Sequence, residues 1–424
     1  MLKDFCYIPT NESDTDFVGL RFDGNKPQVF FPRGFALQDD DSDVRRDILS
    51  LFEVIRKFGD KSQGNLTSGT QGINEEQFPL MSYQHIIRDY LENGYYKETE
   101  VIHGKSTRGK INWKKTIHQI KPELDGDNVV YLRFITRKNN ISTDNLISQI
   151  HQFCVRDSFE KLGWLYTSND YLPPKPVLNF DRKLFLSVLY DQLSKTYNDA
   201  KRLLFTSMIH IVEASSDNEK LTIEASFGVE TFETVWERLI DHIFGEEDRS
   251  RYFPRGEWHI VDGIDEHIVS SVLKPDTIIE YDQKYYVLDA KYYKYGITRN
   301  PQNLPPTESI QKQITYARFI EKHFAEGRKI RNAFIIPFNR GDETNDPYKF
   351  VAAGTADWED YGLEAPDYMY VLAILADTRY LIKTYTRYNA IEIERMTSVI
   401  EEALTNYRGI VIYPTAQLEE DMQF

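Results

Sequence analysis

Asp276, Asp289 and Lys291 are the residues whose types and spacing could do chemistry in this chain. They stand in Leu273-Lys-Pro-Asp-Thr-Ile-Ile-Glu-Tyr-Asp-Gln-Lys-Tyr-Tyr-Val-Leu-Asp-Ala-Lys-Tyr-Tyr293, where two runs rich in Ile, Val and Tyr flank Asp282-Gln283-Lys284. That pattern predicts a β-hairpin. With the turn centred on Gln283-Lys284, Asp276 falls opposite Lys291 and Ile278 opposite Asp289. Side chains alternate along a strand, so the two carboxylates and the ammonium share one face. Ile279, Tyr281, Tyr286, Leu288, Ala290 and Tyr292 take the other. A slip of one residue would send that apolar set into water. Two carboxylates suit a hard divalent cation that draws its other ligands from water and phosphate oxygens, with the Ala290 carbonyl as one more oxygen. Such an ion would activate water beside a phosphodiester, and Lys291 would position that water or offset charge in the transition state. The plain alternative is a hairpin with three solvated charges, so its surroundings decide.

Those surroundings read as a framework. Upstream, Phe232, Trp236, Leu239, Ile240 and Ile243 recur at helical spacing, with Glu233 and Glu237 beside the stripe. Downstream of a Pro-rich loop, Asn300 to Pro306, Ser309 to Ile320 forms a second amphipathic helix. It carries Gln313 and Tyr316 three residues apart, on one side of one turn. Ala333 to Pro337 and Tyr370 to Ala376 read as buried strands. The fold class expected is α/β, with a carboxy-terminal mixed sheet flanked by helices and an α+β amino-terminal region.

Four regions are expected along the chain. Residues 1–75 hold a hairpin (Val18 to Phe22, Gln28 to Phe31) and a helix from Asp43 to Phe58, closed by a linker at Gly59 to Gly72. Residues 76–180 form an α+β region with a helix from Ser82 to Glu92, a strand from Val129 to Thr136 and a helix from Thr143 to Leu162. Residues 181–219 form a helical connector, Arg182 to Ile211. The catalytic domain occupies 220–424, with a long insertion at Arg340 to Asp367, a last helix over 391–407 and a solvated acidic tail.

Composition bounds the function. The 424 residues are 41% hydrophobic and 28% charged, with 27 Tyr and 25 Phe, as in a folded multi-domain protein. Cys6 and Cys154 are too few for a disulfide framework or a zinc site, which fits a reducing cytoplasm. No apolar run is long enough to span a bilayer, and Met1 to Pro9 lacks the core of a signal peptide. With 66 acidic against 51 basic residues the net charge is −15. Tight, unaided DNA binding is therefore not expected, because that affinity comes from neutralising phosphates.

One stretch breaks the acidity. Val101 to Pro122 contains Lys105, Arg108, Lys110, Lys114, Lys115 and Lys121 with no Asp or Glu, and Trp113 adds an apolar handle. Gly109 suggests a tight turn. The stretch would serve either DNA phosphates or a docked protein. Gly104-Lys105-Ser106 mimics the end of a P-loop, but position 99 is Thr where that loop needs Gly, so no nucleotide binding by this chain is expected. The nine histidines have no metal-ligand spacing.

The helix, hairpin, helix, strand, strand order around Asp276, Asp289 and Lys291 resembles the PD-(D/E)xK nuclease superfamily. Further stretches narrow the likeness. They are Phe31-Pro-Arg-Gly-Phe35, Arg108-Gly-Lys-Ile-Asn-Trp113-Lys-Lys-Thr-Ile117, Phe227-Gly-Val-Glu-Thr-Phe-Glu-Thr-Val-Trp-Glu237, Lys274-Pro-Asp276, Leu288-Asp-Ala-Lys-Tyr-Tyr293 and Lys312-Gln313-Ile-Thr-Tyr316. In this order, across roughly residues 17 to 376, they resemble the LlaJI family of restriction endonucleases, which are similar to McrC. The resemblance implies a double-stranded DNA endonuclease using Mg²⁺, with Mn²⁺ as a substitute. It also implies work beside a separate McrB-like AAA+ NTPase. It makes Glu237 a third metal carboxylate, and Gln313 with Tyr316 a pair that orients the lysine or contacts DNA, with a partner contact also open for Tyr316. Two rival readings remain: a non-catalytic adaptor that stimulates the NTPase, and a solitary nuclease.

Overall fold

A computed structural model describes residues 1–9, 16–24, 26–59, 78–142, 145–167, 171–215, 226–258, 268–339, 349–357 and 366–408. All but the first residue of the expected linker lies outside these, as do most of the expected insertion and the acidic tail. The chain divides into two units, Met1–Asn74 with Ser226–Phe424, and Glu75–Ala225.

The first unit begins with β1 (Cys6–Tyr7), β2 (Val18–Asp23) and β3 (Lys26–Phe30). β2 pairs antiparallel with β3, and β1 lies parallel to β3. The Asp40 side chain accepts from the Ser42 and Asp43 amides, capping α1 (Asp41–Phe58). The expected stripe of Val44, Ile48, Leu51, Phe52 and Ile55 is buried. Asp47, on the same helix, is also buried and is paired with Arg379 at 2.9 Å and Lys383 at 2.6 Å.

The second unit is α+β. It contains α2 (Leu80–Asn93), β4 (Glu98–Ser106), β5 (Lys110–Ile111), α3 (Trp113–Gln119), β6 (Glu123–Asp125), β7 (Asn128–Val130), β8 (Phe134–Ser142), α4 (Leu146–Tyr166), α5 (Arg182–Lys195) and α6 (Asp199–Ala214). β8 is the centre of an antiparallel sheet between β4 and β5. The single strand expected over 129–136 is instead the end of one hairpin and the start of β8. Gly126, at φ 64°, makes the turn of that β6–β7 hairpin. The connector expected at 181–219 is a helix pair within this unit, broken where α5 ends and Asn198 caps α6.

The first unit resumes at β9 (Phe227–Val229), which pairs antiparallel with β2. This joins the amino-terminal segment, expected to form its own subdomain, to the carboxy-terminal part. Gly19 sits opposite Gly228 with φ 144°, and a Cβ there would lie 2.2 Å from the Phe227 carbonyl oxygen. Gly19→Ala should therefore cost about 2–4 kcal/mol, from backbone strain and overpacking together. A thermal melt indistinguishable from wild type would contradict that close approach.

Then come α7 (Glu233–Phe244), β10 (Arg255–Trp258), β11 (Ile268–Val272), β12 (Thr277–Tyr281), β13 (Lys284–Ala290), α8 (Tyr295–Thr298), α9 (Thr307–His323), β14 (Lys329–Phe338), β15 (Phe350–Ala356), β16 (Val371–Asp377), α10 (Thr378–Thr384) and α11 (Ala390–Arg408). A five-stranded mixed sheet runs in the order β12-β13-β14-β16-β15, with β13, β14 and β16 parallel. β15 corrects the expected insertion: residues 350–356 form an edge strand antiparallel to β16. Helix α9 covers one face, where Tyr316, Ala317 and Ile320 pack with Ile278, Tyr285, Val287 and Ile330. The whole is the mixed α/β class expected. Among the described residues no helix is long and apolar enough to cross a membrane.

Candidate active site

The hairpin forms, with its turn one residue earlier than the spacing suggested. Asp282 and Gln283 both take positive φ, 47° and 55°, so the two-residue turn is of the twisted type that suits a hairpin. Tyr281 pairs with Lys284 and Thr277 with Leu288. Every partner is thereby shifted by two residues from the expected register. An even shift preserves the faces, so Asp276 still shares a face with Asp289 and Lys291 but stands level with Asp289. The Ala290 N–H donates to Asp276 Oδ2 at 3.1 Å, fixing this loop carboxylate against the end of β13.

Lys291 Nζ lies 2.8 Å from Asp289 Oδ2. Burial works against the Lys291 charge, but Asp289 and then Asp276 outweigh it and raise its pKa. Asp276 is pushed up to about 8, first by burial, then by the Asp289 charge and a hydrogen bond between the two carboxyls, with Glu237 adding to both. Two carboxyl groups this close cannot both ionise cheaply without a cation between them.

Glu237 extends from α7, half-buried, while Glu233 is exposed one turn earlier. The Glu237 pKa is raised by burial, then by Glu233, with Lys291 opposing and Asp289 adding. Glu237 is thus the member of the pair whose charge reaches the site. The anchor for α7 is Trp236, whose indole N–H donates to the Ile335 carbonyl at 3.2 Å. Ile335 also accepts the Lys291 N–H at 2.9 Å.

Gln313 is fully buried on α9, and its amide nitrogen donates to the carbonyls of Val287 at 3.1 Å and Ala333 at 3.3 Å. It braces β13 two residues before Asp289, and its amide oxygen lacks a partner among the described residues. The Tyr316 hydroxyl donates to the Lys274 carbonyl at 3.4 Å, and burial beside both aspartates pushes its pKa up to about 12. Five of the sequence candidates therefore meet here: Asp276, Asp289, Lys291, Glu237 and Tyr316, with Gln313 beneath them.

Arg249 belongs to the same neighbourhood and was missed. It follows α7 in an acidic loop and pairs with Asp241; burial lowers its pKa, and the Asp276 charge opposes that. No periodicity marks a lone arginine in a loop. The basic candidates Arg108, Lys110, Trp113, Lys114 and Lys115 lie in the other unit, all exposed. Gly109 makes its turn at φ 124°, Asn112 caps α3, and the Trp113 ring packs edge-on against Phe134.

The donor set fits a hard divalent ion. The two aspartates offer oxygen ligands only, and their mutual repulsion is what a dication relieves. Among the described residues no three His, Cys, Asp or Glu side chains form a ready cage, so water and substrate oxygens would complete the shell.

Comparison with known proteins places the chain in a family. The profile of the LlaJI restriction endonucleases matches residues 17–359, most of the chain. The chain belongs to the LlaJI restriction endonuclease family. The chain is also similar to the type II restriction enzyme BsuMI component YdjA of Bacillus subtilis (strain 168). That protein is 23% identical over 374 residues, 84% of this chain and 78% of the relative. Among solved structures, the chain aligns with one from the Thermococcus gammatolerans assembly of McrB AAA+ hexamers with bound McrC. Identity is 15% and the TM-score 0.39, over 91% of this chain and 83% of the other.

Proposed function

We propose that this chain is the nuclease subunit of a restriction system, with a PD-(D/E)xK site that hydrolyses DNA phosphodiesters using Mg²⁺. The observation that carries the reading is the meeting of Asp276, Asp289 and Lys291 at the end of β13, inside a family of restriction endonucleases. When bound, Mg²⁺ would supply the positive charge that activates water and neutralises phosphate charge. Asp276 and Asp289 would hold the ion, and Glu237 adds negative charge from the helix side. Lys291, charged and held beside Asp289, meets the charge that develops on the phosphate. Gln313 keeps the strand in place, and Tyr316 closes the wall towards Lys274.

A separate NTPase, McrB-like and AAA+, supplies activation in this reading. Its support on the molecule is the surface of the second unit. Trp113 is 53% exposed, Leu124 77% and Leu132 59%, around the β6–β7 hairpin and the basic α3. An exposed hairpin that carries Leu124, Val129 and Val130 among Glu123, Asp125 and Asp127, next in the chain to the basic α3, suits a protein partner, where aromatic and arginine anchors dominate binding. The net charge of −15 fits delivery of DNA by that partner.

Cleavage of duplex DNA by the full chain, alone and with an McrB-like NTPase plus hydrolysable nucleoside triphosphate, tests the reading. Alone, cutting at moderate salt should be weak; with the NTPase it should switch on. Trp113→Ala with Arg108→Ala should weaken assembly even without DNA. Robust cutting by the chain alone would favour the solitary nuclease. An assembled complex that stimulates NTP hydrolysis and never cuts would favour the adaptor.

A further inference from the structure

We propose that Arg33 is a positioning residue for Lys291, acting through Tyr292; what Lys291 does rests on the nuclease reading above. Arg33 lies in Phe31-Pro-Arg-Gly-Phe35, directly after β3 and far from the site in sequence. Its main-chain N–H donates to the Tyr292 hydroxyl at 2.6 Å, and its guanidinium Nη1 donates to the Tyr292 carbonyl at 3.2 Å. One residue thus grips Tyr292 at both the tip of its side chain and its backbone. The other guanidinium nitrogen pairs with Asp16, which keeps the fork from swinging away.

Arg33 is itself held. Its carbonyl accepts the Thr378 hydroxyl at 3.1 Å. Gly34 follows with φ 70°, and a Cβ there would stand 2.6 Å from the Phe338 amide nitrogen, so the loop lies directly on the end of β14. On the far side the Tyr292 ring meets Phe232 at 5.5 Å and Trp236 at 6.4 Å. Tyr292 is therefore clamped between the amino-terminal loop and α7.

The consequence falls on Lys291. β13 ends at Ala290, and beyond it the Lys291 N–H donates to the Ile335 carbonyl. Among the described residues the Lys291 carbonyl accepts only from the nearby Tyr293 N–H, at 2.8 Å, which ties it to no other strand. Its side chain has four rotatable bonds, so the place of the ammonium follows the direction of the backbone at 291 and 292. Arg33 sets that direction from the following residue. A reacting group displaced by about 1 Å can lose about a hundredfold in rate.

The test uses Arg33→Ala, Arg33→Lys and Tyr292→Phe in the full chain, which break different bonds of the clamp. Two measurements are made: DNA cleavage with the NTPase present, and acylation of each lysine by an amine reagent without DNA or metal, read by mass spectrometry. Wild-type Lys291, 19% exposed and paired with Asp289, should label slowly against exposed Lys183. Arg33→Ala and Tyr292→Phe should each lower kcat about ten- to a hundredfold with KM little changed. Both should speed labelling at Lys291 alone, and Arg33→Lys should restore part of each. Unchanged Lys291 labelling in both variants would overturn the proposal, as would an equal rise at every lysine, which is general loosening. If wild type itself never cleaves DNA, the nuclease reading fails, while the labelling pattern still decides what Arg33 does.

Discussion

Asp289→Ala should abolish DNA cleavage in Mg²⁺, by at least about a hundred- to a thousandfold, while leaving the fold and partner assembly intact. The size follows from what is lost: a metal carboxylate and the partner of Lys291 together, both acting on charge in the transition state. Stability should survive because Asp289 lies at the end of β13 and contributes no apolar packing. Its removal also relieves the like charge pressing on Asp276. The loss of the Lys291 partner works against that relief, so the melting temperature of the metal-free variant should stay close to that of wild type. Asp276→Ala and Lys291→Ala should lose cleavage similarly. Full cutting by Asp289→Ala, with contaminating nuclease excluded, would remove the assignment.

Metal affinity should depend steeply on pH. The Asp276 carboxyl, raised to about 8 by burial and by Asp289, keeps its proton where an unfolded aspartate, at 3.8, has lost it. Over that window the native state binds more protons than the unfolded one. The advantage is fully present below the unfolded value and is lost as pH rises through about 8, so metal-free stability should fall with rising pH. A divalent ion must displace the same proton. Mg²⁺ or Mn²⁺ affinity should therefore climb about tenfold per pH unit towards pH 8 and level off above it. Asp289→Asn removes the neighbouring charge, so Asp276 should ionise at lower pH and the slope should flatten. Calorimetric titration between about pH 6 and 9 reads both effects. Affinity that stays level across the range in wild type would show that Asp276 and Asp289 are not the seat of the ion.

How far the sequence could be read depended on whether a signal was local. The faces of the hairpin were legible because alternation survives an even shift, although the register itself was not. The positive φ of Asp282 and Gln283 has no glycine to announce it. α7 and α9 were legible from 3.6-residue periodicity, whereas Glu237, Gln313 and Tyr316 were singled out on them by the family resemblance. Periodicity could not show that Gln313 points into the sheet and bonds to two strand carbonyls, because a buried amide looks the same in sequence as an exposed one. β15 was hidden by composition: Phe350-Val-Ala-Ala-Gly-Thr-Ala356 is poor in the branched and aromatic residues that mark strands. β2 with β9, and Arg33 with Tyr292, pair residues about two hundred or more positions apart, beyond any local pattern.

The β2–β9 pairing sets a timetable for synthesis. When β2 leaves the ribosome, the strand that will cover its free edge has not yet been made, and the whole of Glu75–Ala225 must be translated first. At ordinary elongation rates that is a delay of roughly 8–30 s. Throughout it, the apolar side of α1 and the open edge of β2 wait without their native neighbours, while the middle unit is free to fold as a unit of its own. The nascent chain is then most open to aggregation and most dependent on chaperones. Slowing translation within the middle unit should lower the yield of correctly folded protein without altering a single native contact.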